Sequence, residues 1–187
     1  MHNYDREGHP FVALLKACTK RKDVEKGHKL HAQVCHLGLL KKDLFVCASL
    51  VAMYVTWGLF SEARAVFNDL LLKDAALWNS LISGYAEHGH GSDALACFER
   101  MQLESISPSA ITYTCSLKAC ASAGFLEKGK ELHSQIEGRL LKHDIIVGNA
   151  LVDMYAKCGY VSTAQQVLEK LPARLSLQGM QTMDLVS

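Results

Sequence analysis

FVALLKAC (11–18) returns as YTCSLKAC (113–120), KGHKLH (26–31) as KGKELH (128–133), and LVAMYVTWG (50–58) as LVDMYAKCG (151–159). The first two echoes stand 102 residues apart and the third 101, so one residue is missing between His133 and Leu140, in a connection between helices that tolerates its loss. A strict internal period of this length is the mark of stacked modules.

Segments between the echoes keep the same rhythm. Apolar residues recur at i, i+3, i+4 and i+7 in Val46, Leu50, Met53 and Tyr54, in Ala63, Val66, Phe67 and Leu70, and in Trp78, Leu81, Ile82 and Tyr85. They recur again in Ala94, Cys97, Phe98 and Met101, in Val147, Ala150, Leu151, Met154 and Tyr155, and in Ala164, Val167, Leu168 and Leu171. Each set predicts one buried helical stripe. Gly58, Gly89, Gly124 and Gly159 fall where a first helix of a pair should end and the chain must turn. The turns are short, so paired helices are antiparallel neighbours. Pro108 and Pro172 fall near the ends of second helices. With no strand signal, the expectation is an all-α, right-handed α-solenoid of about five helix-turn-helix repeats, roughly ten short helices.

Composition narrows the function classes. Apolar residues are 49% and charged ones 21% of the 187 residues, enough for a continuous core and unlike a disordered chain. No apolar run approaches the roughly 18 residues of a spanning helix, so no membrane partner is expected. Twenty basic residues against nineteen acidic give a net charge of +1, which excludes a nonspecific nucleic-acid binder and requires any nucleic-acid site to be local. Seven cysteines without a CxxC predict that most are small buried side chains in a reducing compartment. Residues 1–10 carry Asp5 and Glu7 and show no targeting pattern.

WNSLISGYAEHGHGSDALACFERMQ (78–102), LKACASAGFLEKGKELH (117–133) and GNALVDMYAKCGYVSTAQQVLEKLP (148–172) resemble the repeats of plant pentatricopeptide-repeat proteins. The similarity is strongest to the subclass that alternates standard, long and short repeats. It divides the chain into an N-terminal extension (1–7), a long repeat 8–43, a short one 44–74, a standard one 75–109, a long one 110–144 and a short one 145–175, with a divergent tail 176–187. The resemblance implies binding of single-stranded organellar RNA, one base per repeat, read by the fifth and last residues of each. It implies a mitochondrial or chloroplast location, and other RNA-editing or processing factors as companions. Mapped here, the reading pairs are Asn79 with Ser109, which in the family favours cytosine, and Thr114 with Asp144, which in a standard repeat would favour guanine. The short repeats offer Ala48 with Asp74 and Asn149 with Leu175, and the first repeat offers Val12 with Asp43. Val12, Ala48 and Leu175 carry no hydrogen-bonding group for a base edge. Read as residues alone, Asp43, Asp74 and Asp144 are equally N-caps of the helices that follow.

Catalytic chemistry finds no foothold. His28, His31 and Cys35 share a helical face with metal-ligand spacing, but at the repeat offset their equivalents are Lys130, His133 and Glu137, so only the histidine recurs and packing is the expected role. HKLH lacks the glutamate of HExxH. Cys115 and Cys120 are five apart and face differently. The His-x-Glu and Cys-x-x-Cys of the zinc deaminases that close many members of the subclass are missing. No cofactor or metal is expected and no enzyme activity. Two alternatives to RNA binding stay open: a scaffold for protein partners, and a truncated fragment in which the helix Val161 to Leu171 ends the stack without a polar cover.

Overall fold

The structure, a computed structural model, describes residues 5–70 and 73–171. Among them ten α-helices follow one another: α1 (Asp5–Arg21), α2 (Val24–His36), α3 (Leu44–Thr56), α4 (Phe60–Asp69), α5 (Ala75–Glu87), α6 (Gly91–Leu103), α7 (Ala110–Ala123), α8 (Leu126–Glu137), α9 (Ile145–Lys157) and α10 (Val161–Glu169). Short 3-10 turns, Leu39–Lys41 and Leu140–His143, follow α2 and α8, and no strand occurs among the described residues. The helix α1 begins three residues ahead of the expected repeat start and carries Pro10 in its second turn.

The chain divides into two compact units, Met1–Gly84 and Tyr85–Ser187. In the first, α1 packs on α2 and α3, and α3 on α4. In the second, α7 packs on α6, α8 and α9, and α9 on α8 and α10. First helices of successive pairs thus lie against each other, α1 on α3 and α7 on α9, while α2, α4, α8 and α10 cover their own partners, the contact pattern of stacked repeats. This explains why α3 is apolar on nearly every face, with Val46, Cys47, Leu50, Val51, Met53, Tyr54 and Val55 all buried.

The turns inside the pairs are built alike. After α3 the amide of Gly58 bonds the Val55 carbonyl and that of Leu59 the Tyr54 carbonyl; after α9 Gly159 and Tyr160 do the same with Ala156 and Tyr155. This closure needs a left-handed residue, supplied by Gly58, Gly89, Gly124 and Gly159 at φ 73, 80, 71 and 84. At the turn after α1 the same closure is made by Lys22 and Asp23 on Thr19 and Cys18, with Lys22 itself at φ 55.

The residue missing from the second echo, expected in the connection, is missing from the helix: α2 has 13 residues and α8 has 12, while residues 37–43 and 138–144 make connections of equal length. Between α2 and its 3-10 turn stand Leu37 and a left-handed Gly38 (φ 66). After α8 stand Gly138 (φ −73) and Arg139 (φ −122), with no left-handed step among them.

Nearly all the expected stripes are buried. The exceptions are Cys97 and Ala150, which are half-buried, and Leu168, which is 40% exposed on α10. The cysteines depart further from expectation. Cys18, Cys47 and Cys120 are buried, but Cys97, Cys115 and Cys158 are half-buried and Cys35 is exposed, because helix margins are only partly covered by the neighbouring pair. The recurring histidine does pack: His31 Nδ1 lies 2.8 Å from the Tyr54 hydroxyl, and His133 Nδ1 lies 2.9 Å from that of Tyr155. Both rings meet the tyrosine edge-on, at 5.5 and 5.6 Å between centroids.

Candidate nucleic-acid interface

Every residue expected to end a repeat within the described residues caps the helix after it. Asp43 Oδ1 accepts from the amides of Phe45 (2.9 Å) and Val46 (3.1 Å), and Asp144 Oδ1 from those of Ile146 (2.8 Å) and Val147 (3.1 Å). Asp74 Oδ1 accepts from Leu77 (2.8 Å) at the start of α5. Ser109 forms a reciprocal capping box with Thr112, its amide donating to the Thr112 hydroxyl at 2.9 Å. An aspartate or serine at these places satisfies orphan amides at the helix start, which is a folding requirement independent of any ligand. Asp43 and Asp144 each use one carboxylate oxygen for the cap, so the other is an acceptor-only group held in a fixed orientation.

The fifth residues sit on the first helices. Asn79 is half-buried in the second turn of α5, Asn149 is exposed on α9, and Thr114 on α7 donates its hydroxyl to the Ala110 carbonyl at 2.8 Å. Asn79 and Ser109 belong to different compact units. Leu175 lies outside the described residues.

In the first unit the first helices enclose an open groove of about 490 Å3. Val12, Lys16 and Lys20 of α1, Phe45 and Ala48 of α3 and Ser80 of α5 line it, so Val12 and Ala48, the fifth residues of two expected repeats, meet in one depression. Its floor is apolar, its rim carries two ammonium groups, and Phe45 stands 76% exposed. Ile111 and Ile146, the second residues of their repeats as Phe45 is of its own, are 63% and 67% exposed. Helical stripe patterns do not single these three out, because they lie off the buried face; their one signal is a large apolar residue two places after the cap at three helix starts. An exposed ring beside cations is the composition of a surface that stacks bases and tracks phosphates.

The remaining polar groups suit structure better than chemistry. Burial, with Asp43 and Cys35 nearby, pushes the Cys47 thiol up to about 12, and burial does the same for Cys120. Protonated thiols are poor nucleophiles. His28 lies 5.7 Å from the Tyr54 ring and His31 bonds its hydroxyl. Among the described residues no group of three His, Cys, Asp or Glu side chains is placed to hold a metal ion, and no helix is long and apolar enough to cross a membrane.

These features coincide with a known repeat. The model of the PPR repeat family matches residues 73–122, and that of the PPR repeat matches 111–139 and 149–174. The chain therefore contains pentatricopeptide repeats, and its relatives are plant proteins of that kind. A chloroplastic pentatricopeptide repeat-containing protein of Arabidopsis thaliana is 35% identical over 162 residues, covering 87% of this chain and 26% of the relative. Another from the same plant, labelled mitochondrial, is 31% identical over 167 residues, 89% of this chain and 26% of its own length. The chain spans between 17% and 33% of the length of curated relatives it matches. Among solved structures, the maize pentatricopeptide repeat protein PPR10 superposes with a TM-score of 0.69 at 20% identity, over 84% of this chain and 23% of that one. The structure of PPR10 in complex with an 18-nt psaJ RNA element gives 0.69 at 21%, over 88% and 24%. At these identities the match establishes the fold, an α-solenoid of helix pairs.

Proposed function

We propose that this chain binds single-stranded RNA along its first helices, as a specificity adaptor in organellar RNA processing or C-to-U editing with no catalytic step of its own. The observation that carries the reading is the groove of the first unit, where fifth residues, an exposed aromatic ring and two rim ammonium groups converge. Stacking and edge contacts contribute about 1–3 kcal/mol per base. Five repeats, in the long, short, standard, long and short order given above, must offset an association cost on the order of 4–15 kcal/mol. Binding by this chain alone is accordingly weak and salt-sensitive, and a partner factor completes the complex. The plastid and mitochondrial labels of the relatives support an organellar setting.

Specificity resides in few positions. Asn79 with Ser109 reads cytosine; Thr114 with Asp144 gives a weaker contact from a long repeat, and Asn149, Asp43 and Asp74 give partial contacts because Leu175, Val12 and Ala48 opposite them carry no hydrogen-bonding group. Binding of Asn79→Asp to a panel of RNAs differing at a single base tests the assignment. The preference for cytosine should disappear, and an unchanged preference overturns it.

A further inference from the structure

Cys18 returns as Cys120 at the 102-residue offset and Trp57 as Cys158 at 101, so one thiol and one indole of the first unit correspond to two thiols in the second. Position 57 shows where such a side chain points. The Trp57 ring lies so close to Gly27 of α2 that a Cβ there would overlap it, with Met53 Sδ alongside. Gly129 and Met154 are the equivalents of Gly27 and Met53, and the same close approach returns between them. Cys158 ends α9 one turn beyond Met154, its amide bonded to the Met154 carbonyl at 3.0 Å, and so lies toward α8 and the end of α7.

Cys120 stands where those elements meet. The contact of α7 with α9 is the most extensive between helices among the described residues. The turn into α8 closes on Cys120 itself, whose carbonyl accepts from the Phe125 amide at 3.0 Å. Around it Ala119, Cys120, Ala121, Ser122 and Ala123 are all small, and α6 comes so near that Gly91 has no room for a Cβ against Ala119 and Ala123. Packed helices usually stand roughly 8–10 Å apart, whereas a disulfide needs Cα atoms within about 7 Å. Small residues at a contact close that gap. Of the ionisable neighbours of the Cys120 thiol, Cys158 acts on it most strongly, ahead of Lys128 and Glu131 of α8. Cys120 is fully buried and Cys158 half-buried, so one thiol is open to solvent reagents and the other waits behind it.

We infer that Cys120 and Cys158 form a dithiol switch that closes to a disulfide and ties the end of α9 to that of α7. The Cys158 thiolate attacks one sulfur of a small-molecule disulfide such as oxidised glutathione, forming a mixed disulfide and releasing one glutathione thiolate. Cys120, as thiolate, then attacks the Cys158 sulfur, forms the protein disulfide and releases the second. The two protein thiols are oxidised, one glutathione disulfide is reduced to two thiols, and the protons pass through solvent from the cysteines to the released thiolates. Burial first, and Cys158 next, push the Cys120 thiol up to about 12 while Lys128 pulls it down, so closure is slow near neutrality and quickens as pH rises. Because α7 and α9 carry Thr114 and Asn149, the bond fixes the spacing of two proposed readers, a consequence that rests on the RNA-binding reading above.

The test equilibrates the full chain in buffers of fixed reduced-to-oxidised glutathione ratio, blocks free thiols with a maleimide and digests with trypsin. Peptides joined through Cys120 and Cys158 should appear, and the count of free thiols should drop by two. Seven free thiols at every ratio, glutathione retained on Cys158 without closure, or Cys158 joined to another cysteine overturns the pair. Cys120→Ala and Cys158→Ser should each abolish the joined peptide, and Cys35→Ser should keep it. The oxidised native chain should melt about 5–10 °C above its reduced form, a difference absent from Cys158→Ser; equal midpoints overturn the tie. With its helices already held, the oxidised chain should bind single-stranded RNA on the order of threefold more tightly than the reduced one. Equal affinities in the presence of the cross-link overturn the switch and leave base reading untouched. Failure of both forms to bind RNA overturns the RNA reading and the fixed reader spacing with it, while the joined peptide still decides the dithiol pair.

Discussion

Two residues show how backbone and side-chain chemistry fix a site. Gly124 is left-handed with open space around its missing Cβ, so the need for glycine there is purely conformational. Gly124→Ala should cost about 1–2 kcal/mol, read as a lower urea midpoint with an unchanged m-value. His31 is more conditional. Burial first, then His28 on the same helix, lowers its pKa from 6.5, while Asp69 of α4 pulls the other way; Cys35 and the Tyr54 hydroxyl complete its surroundings. Folding therefore favours the neutral ring. Its contribution is fully present above pH 6.5 and declines as pH falls through that value toward the lower folded pKa. Between pH 7.5 and 5 the native chain should lose more stability than His31→Gln, measured by chemical denaturation at each pH, and equal losses would discard this assignment.

At the scale of elements, capping and the base reading proposed for the same residues can be told apart. Asp144→Ala removes both acceptor functions and should destabilise by about 0.5–2 kcal/mol. Asp144→Asn keeps an oxygen for the amides of Ile146 and Val147, so thermal stability should hardly change while the base selected opposite the long repeat does. A shift in stability without a shift in base preference would leave Asp144 a cap alone. The helices themselves were largely legible: a period of 3.6 in Val46, Leu50, Met53 and Tyr54 can be buried in one way only, and the glycine after α3, α5, α7 and α9 announces the backbone of those turns. The groove was not. It arises from three helices whose positions no local pattern specifies, and Phe45 reads in sequence as one more apolar residue of an apolar helix. Lys22 was equally hidden, because the rule that finds such turns looks for glycine. Cys97 and Cys158 were expected inside and lie at margins, since a stripe gives the direction of burial and leaves its depth to the neighbouring pair.

For the whole molecule, repetition divides what must stay constant from what is free to vary. The His31 and Tyr54 contact returns 102 and 101 residues later with distances that agree to 0.1 Å, while Trp57 becomes Cys158 and Ala48 becomes Asn149. Stability in such an array is a sum over neighbouring pairs. Breaking one pair should therefore disturb its own unit first: in hydrogen exchange, Tyr54→Phe should deprotect α2 and α3 before α8 and α9, and uniform deprotection would contradict this independence. The caps carry a consequence for any attempt to rewrite such a chain. Because residues 43, 74, 109 and 144, the proposed repeat ends, each cap the next helix, the letters open to a proposed reader at that place are those that also hold a helix start, in practice Asp, Asn, Ser and Thr. An alphabet for bases written at these positions is thus limited by the grammar of helices before any nucleotide is consulted.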